Sequence, residues 1–460
     1  MNPAQPKQRL GVTLLAVALC GCAETLPAST DFAEDRCQTV YSEGAQGLPL
    51  IDIGAILGTN PPGGTDTDAL FESRGMQLAV AELNDNRDIA GKRIRLTVCD
   101  TRSHWSTGGG QITRDLVRWL VEKRGVQAIL TDASSDTQTA QAVAVPKGVL
   151  LMAISATSED LTSLNDKGLV WRVAPSDVYQ GAVLAHVATK GLQPADKVSV
   201  LAAQSPYGEG LVNALGKVLK NRMVPHTFGS DGKGIAAAVG AAAGDGSKAL
   251  VVVGSSAQLV QVVNARVSQP SLANLPLFSG DGACEGGLLQ NPVQAGASLA
   301  SLQCTRPGQA PTELYKLFAA RFKAKFNQTD PAQSGFTQHA YDAVYCLALA
   351  YAHALRTGGP AKVDGAAIAE GLRQLSAGET FELKPNDIAK MTSALGKGAG
   401  INIEGTSGPL DFNPDTGEAP SDYAVWGAGK DGKLTNLGYF AVQDKGKDGI
   451  AVLPKDVTPP

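Results

Sequence analysis

None of the seven cysteines in this chain is spaced as CxxC, which argues against a structural zinc, an iron-sulfur cluster or a thioredoxin-like centre. Histidine is scarce. His104, His186, His226, His339 and His353 are all there is, no pair has a spacing that suggests a shared metal, and His339 and His353 are expected on helix surfaces. HExxH, a GxSxG elbow, a Walker lysine and a dinucleotide-binding glycine fingerprint after the first strand are all missing. The usual sequence signs of hydrolase, nucleotidase and dehydrogenase chemistry are therefore absent, and neither catalysis nor a cofactor is expected. Lys and Arg number 40 against 44 Asp and Glu, with no basic block, so a nucleic acid is not an expected partner. After the first two dozen residues no apolar run is long enough to span a membrane, for which about 20 residues are needed. No repeat of domain-building length is visible.

What is present begins with a leader. Lys7 and Arg9 precede the apolar GVTLLAVALCG, and Leu19-Cys20-Gly21-Cys22 follows, the layout of a secretory signal. LCGC resembles a bacterial lipobox, in which a small residue precedes the cysteine that is lipidated and becomes the new N-terminus. The expectation is a signal over residues 1–21, lipid on Cys22, and a tether over 22–47. An exported chain permits disulfides. Cys284 is expected to pair with Cys304 across a loop and Cys37 with Cys99, leaving Cys346 on an apolar helix face.

LIDIGAIL, KRIRLTVCD, VQAIL, GVLLMA, LVWRV, KVSVLAA and ALVVVG are short runs rich in branched residues, mostly separated by helical stretches and Gly or Pro punctuation. Continuous apolar strands alternating with helices indicate parallel sheet covered on both faces. A fresh strand-helix series starts at residue 197, so the expected fold is α/β with two doubly wound Rossmann-like lobes; that three crossovers join them is what the family resemblance given below implies. The expected division is 48–173 plus 282–359 for the first lobe and 174–281 plus 360–455 for the second, with hinges near 174, 281 and 360. TSGPLDFNPDTG and DYAVWGAG near the end read as hairpin-forming strands.

ILTDASSDTQTAQAVAVPKGVLLMAISATS, residues 129–158, places two hydroxyl-rich turns behind two neighbouring strands. In a doubly wound lobe the loops after the strands carry binding groups, and helix N-termini there favour anions. Ser134, Ser135, Ser155, Thr157 and Ser158 are thus candidates to hold a small polar ligand; the alternative is that they only cap helices.

GAILG followed by FESRGMQLAVAELND, then ILTDASSDTQTAQAVA, LLMAISATSEDLT, VWRVAPSDVYQGAVLA, VSVLAAQSPYGEGLVNAL and LFSGDGA resemble, in that order, the type I periplasmic binding proteins. The likeness is to the branched-chain amino acid and amide branch that serves ABC importers, over roughly residues 48 to 445. The resemblance implies that Ser134 binds a ligand carboxylate through hydroxyl and N–H. It likewise implies that the Ser155 carbonyl accepts from the α-amino group and that Thr157 bonds both ends. Ser135 and Ala156 belong to the same turns and are expected at the ligand. Tyr207 corresponds to a second-lobe tyrosine lying against the ligand, and Asp281 to an acidic residue, usually Glu, that pairs with the ammonium. Ser255 and Ser256 stand where relatives often place aromatic residues, which implies a wider cavity and departs from leucine-like specificity. The first loop lacks the usual aromatic residue, since Phe71 falls on the helix itself. Asp66 and Asp68 nearby either greet a cationic ligand or form solvated loop, and Trp105 either reaches the cleft mouth or lies in an exposed loop.

The expected function is reversible capture of a small polar ligand, first an amino acid, then an amide or short carboxylic acid, for ABC permease subunits, with the lipid as the membrane attachment. The alternatives are a ligand sensor and a structural envelope lipoprotein with an altered or lost pocket.

Overall fold

The computed structural model describes residues 30–457 apart from 46, 62–63, 86–88, 104–106, 286–287, 289–292, 309–310, 360–362, 430–433 and 446–450. The signal, Cys22 and Trp105 therefore lie outside the described residues.

The first sheet contains β1 (Thr39–Tyr41), β2 (Leu50–Leu57), β3 (Arg93–Asp100), β4 (Ala128–Thr131), β5 (Leu150–Ala153) and β6 (Val170–Arg172), in the order β1-β3-β2-β4-β5-β6. Its pairings are parallel except at β1, which runs against β3. The second comprises β7 (Val198–Gln204), β8 (Met223–Gly229), β9 (Ala249–Val253), β10 (Leu277–Ser279) and β11 (Leu302–Pro307). Its antiparallel wing is β14 (Tyr423–Ala428), β15 (Leu434–Lys445) and β16 (Ala451–Val457). β12 (Glu379–Glu382) and β13 (Ile401–Glu404) form a separate pair. The helices are α1 (Thr30–Arg36), α2 (Thr67–Asp85), α3 (Gln111–Lys123), α4 (Ser134–Ala144), α5 (Asp177–Thr189) and α6 (Pro206–Leu219). After them come α7 (Ile235–Ala242), α8 (Ser256–Arg266), α9 (Glu313–Lys325), α10 (Thr337–Gly358), α11 (Gly365–Arg373) and α12 (Ile388–Gly396).

The expected pair of α/β lobes is present. β4, β5 and β9 are buried along their whole length, as strands covered on both faces must be, and this is why they lack a polar alternation. Part of the expected tether is folded: β1 pairs with β3, and a Cys37–Cys99 disulfide fastens that segment to the sheet. The other expected disulfide, Cys284–Cys304, is also formed, and Cys346 is free and buried.

The chain divides between the lobes differently from the expectation. β11 pairs with β10 and β14 in the second sheet, so the chain is still in that lobe at Pro307. Ile368, Leu372, Ile388, Met391 and Leu395, from α11 and α12, belong instead to the first core, around α10. Asp342 of α10 also grips the turn after β13: it accepts from the Thr406 N–H at 3.0 Å and hydroxyl at 2.8 Å, and from the Ser407 N–H at 2.7 Å and hydroxyl at 2.6 Å. We propose a first lobe of 39–172 plus 313–420 and a second of 177–307 plus 423–457, with crossovers near 174, 310 and 421 in place of 174, 281 and 360.

α10 explains two more differences. It is enclosed by α2, α11 and α12, so His339 (fully buried) and His353 face protein rather than solvent. Burial pushes the His339 imidazole down to about 3. The α2–α10 approach is so close that a Cβ on Gly75 would lie 2.3 Å from the Thr337 carbonyl. TSGPLDFNPDTG is turn with isolated bridges rather than a hairpin strand, whereas the DYAVWGA segment forms β14. Among the described residues no helix is long and apolar enough to cross a membrane.

Candidate ligand-binding cleft

The carboxyl ends of β2, β4 and β5 face those of β7 and β10 across the junction between the lobes, and a cavity of about 60 Å³ lies there. From the first lobe it is lined by Ser134, Ser155 and Thr157, and from the second by Tyr207 and Asp281. Five of the eight expected ligand-binding residues are thus brought together.

Each is placed by local chemistry. Ser134 opens α4, and its hydroxyl accepts from the Ser158 N–H at 3.2 Å. The Ser155 hydroxyl donates to the Asp132 carbonyl at 3.1 Å. Tyr207 sits in the first turn of α6, which starts with Ser205 as cap and Pro206 at its first position, a favoured helix opening because proline needs no N–H partner there. Its hydroxyl donates to Asp281 Oδ1 at 2.7 Å and accepts from the Gly282 N–H at 3.3 Å. Gly280 leaves space for that ring, since a Cβ there would lie 2.5 Å from the tyrosine oxygen.

Three expected residues have other work. Ser135 does not line the cavity; it packs beneath Gly108, where an added Cβ would meet its Oγ at 2.8 Å. Ala156 is fully buried, and its carbonyl accepts from Arg172 at 3.4 Å. Ser255 caps α8, accepting from the Gln258 N–H at 3.3 Å in a reciprocal capping box. A hydroxyl after a strand serves a cap as well as a ligand, and sequence alone does not separate the two. Ser256 donates to Glu285 and does not widen the cavity. Phe71 is core, stacked on Phe322 with ring centroids 6.1 Å apart.

The cavity is far more acidic than the sequence suggests. Asp66 and Asp68 line it rather than lying in solvated loop, and Glu72 and Asp132 join Asp281 in the wall. No Lys, Arg or His is among the lining residues. Asp132 is held by its own turn: Oδ1 accepts from the Ala133 N–H at 2.6 Å and Oδ2 from the Gly58 N–H at 2.8 Å. Burial, reinforced by Asp136, still pushes its carboxyl up to about 7. Burial and then Asp66 raise Asp68 to about 6, while burial and then Asp132 drive Glu72 well above the ordinary range. On the second lobe, burial raises Asp281, and Asp177 behind it is driven well up by burial and by Asp281. Charges of one sign in a site shielded from water are costly, and carboxyl groups respond by retaining protons. Glu72 was hidden because its helix position reads as an ordinary polar residue. A lone Asp behind β4 was the one legible sign of Asp132. Among the described residues, no group of three His, Cys, Asp or Glu side chains is placed to hold a metal ion.

No curated protein matches the chain in sequence, but solved structures share its fold. A leucine-binding protein of Thermotoga maritima superposes with a TM-score of 0.66 at 20% identity, covering 85% of this chain and 98% of that one. A branched-chain amino acid transporter substrate-binding protein of Streptococcus pneumoniae, solved with isoleucine, gives 0.64 at 22%, covering 84% and 97%. A solute-binding protein of an ABC transporter from R. palustris, in complex with 4-hydroxybenzoate, gives 0.65 at 17%, covering 86% and 98%. The periplasmic binding protein family model matches residues 53–433, more than three quarters of the sequence, and the chain belongs to that family.

Proposed function

We propose that the protein captures a small, amine-bearing solute between its lobes and presents it to the permease of an ABC importer. The sequence expectation of an amino acid falls within that class. The observation that carries the reading is the convergence of Ser134, Ser155 and Thr157 with Tyr207 and Asp281 on one interlobe cavity. Ligand sites in α/β folds lie at the carboxyl ends of strands, and a cleft between hinged lobes gives capture with exclusion of water. The relatives bind leucine-like amino acids and an aromatic acid, which supports solute capture as the common activity. The family is one of binding proteins, not catalysts.

The ligand is small. About 60 Å³ holds roughly four to six waters at ~10–15 Å³ each, which favours a compact solute. An anionic solute would also face five carboxylates. Lipid on Cys22 would hold the protein at the outer face of a membrane, and two disulfides agree with an oxidising compartment.

The test is a thermal-shift panel of amino acids, amides, amines and organic acids. A ligand that binds only the folded state raises its melting temperature by mass action, so at least one amine-bearing compound should do so in a concentration-dependent way. A flat response across the panel would favour the structural envelope role instead.

A further inference from the structure

We propose that the cleft is built for a compact organic cation with two amino groups and no carboxylate, a short linear diamine being the simplest member of the class. The inference rests on the capture reading above and names its substrate class.

The first argument is that an acidic side chain of the protein already stands beside the place where a bound carboxylate would lie. A bound amino acid would place its carboxylate at the N-terminus of α4, on the Ser134 hydroxyl and the N–H groups beside it. The carboxylate found there belongs to the protein. Asp132 takes the Ala133 and Gly58 N–H groups at 2.6 and 2.8 Å, and the Ser134 hydroxyl accepts from the Ser158 N–H. A ligand carboxylate in that position would lie against Asp132, disfavouring ionisation of either group, and no basic side chain lines the wall to pair with it.

The second argument is an unfilled demand for donors. Glu72 is 2% exposed and lines the cavity, yet its Oε2 has no hydrogen-bond partner, and Asp68 Oδ1 beside it has none either. A buried acceptor left unpaired is costly. An ammonium group, with three donors and no acceptor, satisfies several such oxygens at once.

The acids also fall into two groups. Asp66, Asp68, Glu72 and Asp132 act on one another in the first lobe, and Asp281 with Asp177 behind it forms the second-lobe group. One ammonium per group accounts for both, and the cavity volume limits the chain between them to a few methylenes, which the Phe336 and Tyr207 rings are placed to cover. Arg306 acts on Asp68 and Asp281 from outside the cavity wall but is not among its lining residues. It lines the adjoining cavity, donates to the Ala332 carbonyl at 3.2 Å and lies over the Trp426 ring. A metal ion is a poorer fit than an organic cation, because no three of these carboxylates are placed to share one among the described residues.

One thermodynamic consequence follows. Without ligand, burial holds the carboxyls of Glu72, Asp68 and Asp132 above the ordinary carboxylate range, with Asp66, Asp136, Asp281, Asp177 and Glu285 as acidic neighbours and Arg306 as the nearby cation. A bound diammonium displaces the protons those carboxyls retain, so affinity must rise with pH through about 6 to 7.

Calorimetry on the full-length protein tests this with putrescine, butylamine, L-alanine and calcium chloride at pH 6 and pH 8. Putrescine is expected to bind at least about tenfold more tightly than butylamine or L-alanine, to release protons, and to gain about tenfold in affinity from pH 6 to 8. Glu72→Gln and Asp132→Asn should each weaken it by about tenfold or more and flatten the pH dependence, while the unliganded melting temperature holds or rises. L-alanine or another neutral amino acid binding more tightly than putrescine would overturn the inference and leave solute capture standing. Calcium alone binding would overturn it in favour of a metal site. Absence of putrescine binding overturns it, and absence of binding by the whole panel overturns the capture reading as well.

Discussion

The Ser158 hydroxyl of the first lobe donates to the backbone carbonyl of Pro206, the first residue of α6 in the second, over 2.9 Å. A few residues away Lys217 Nζ meets Glu159 Oε2 at 2.5 Å, also between lobes. Both contacts bridge the two lobes beside the cleft. Exposed ion pairs contribute about 0–1 kcal/mol, and Lys217 is half exposed. Lys217→Ala is therefore expected to weaken ligand binding only a fewfold, through a smaller closed population, with the melting temperature of the unliganded protein unchanged. Solution scattering should show a larger mean radius, which ligand restores.

Asp281→Asn separates stability from binding. The asparagine keeps an oxygen for the Tyr207 hydroxyl but removes a carboxylate that burial holds above its ordinary pKa. The unliganded variant should melt at the same or a higher temperature, while affinity for an amine ligand falls about tenfold or more. Titration calorimetry together with a thermal melt gives both values.

The pH dependence of stability has a defined sign. Burial lifts Asp132 to about 7 and Asp68 to about 6 when folded, above the unfolded range near 4, and drives Glu72 well above its ordinary value. Between those values the folded state binds more protons than the unfolded one, so their contribution is full below about pH 4 and is lost as pH rises through 6 to 7. The unliganded protein should melt several degrees higher at pH 5 than at pH 8. Glu72→Gln with Asp132→Asn should remove most of that slope.

Arg172 and Glu418 form a pair that is 2% and 6% exposed, and Arg172 also donates to the Ser158 carbonyl at 2.8 Å. Removing one partner of a buried pair leaves the other charge uncompensated, at about 3–5 kcal/mol. Glu418→Gln should cost stability of that order in denaturant titration. It should also loosen the turn that carries Thr157, so that ligand binding weakens in parallel.

The two disulfides close loops with sequence separations of 62 and 20. Chain-entropy arguments give each about 3–4 kcal/mol. Cys37→Ser with Cys99→Ser should lower stability by that order, and a reducing agent should lower the wild-type melting temperature without altering the Cys346 thiol, which is buried and free.

Strands such as AILT, LLMA and ALVVV were legible because burial on both faces leaves an unbroken apolar run. Ser134, Ser155 and Thr157 were legible because the end of a parallel strand is where an α/β fold exposes hydroxyls and helix N-termini. Ser135, Ala156 and Ser255 carry the same local signal and serve packing, a core carbonyl and a helix cap. His339 and His353 were misplaced for a related reason: periodicity marks a polar position on a helix but not the α11 and α12 layer that arrives later in the chain to cover it.

By itself the sequence determined the alternation of strand and helix, the cysteines available to pair and the hydroxyl-bearing turns at strand ends, because each depends on neighbours a few residues apart. Tertiary structure alone decided that residues 365–396 return to the first lobe and that Asp66, Asp68, Glu72, Asp132 and Asp281 meet in one cavity. Isolated carboxylates in sequence are ordinary surface residues. They converge in one buried cavity only when the strand order and the meeting of two lobes bring them together, and that depends on contacts between residues some two hundred positions apart.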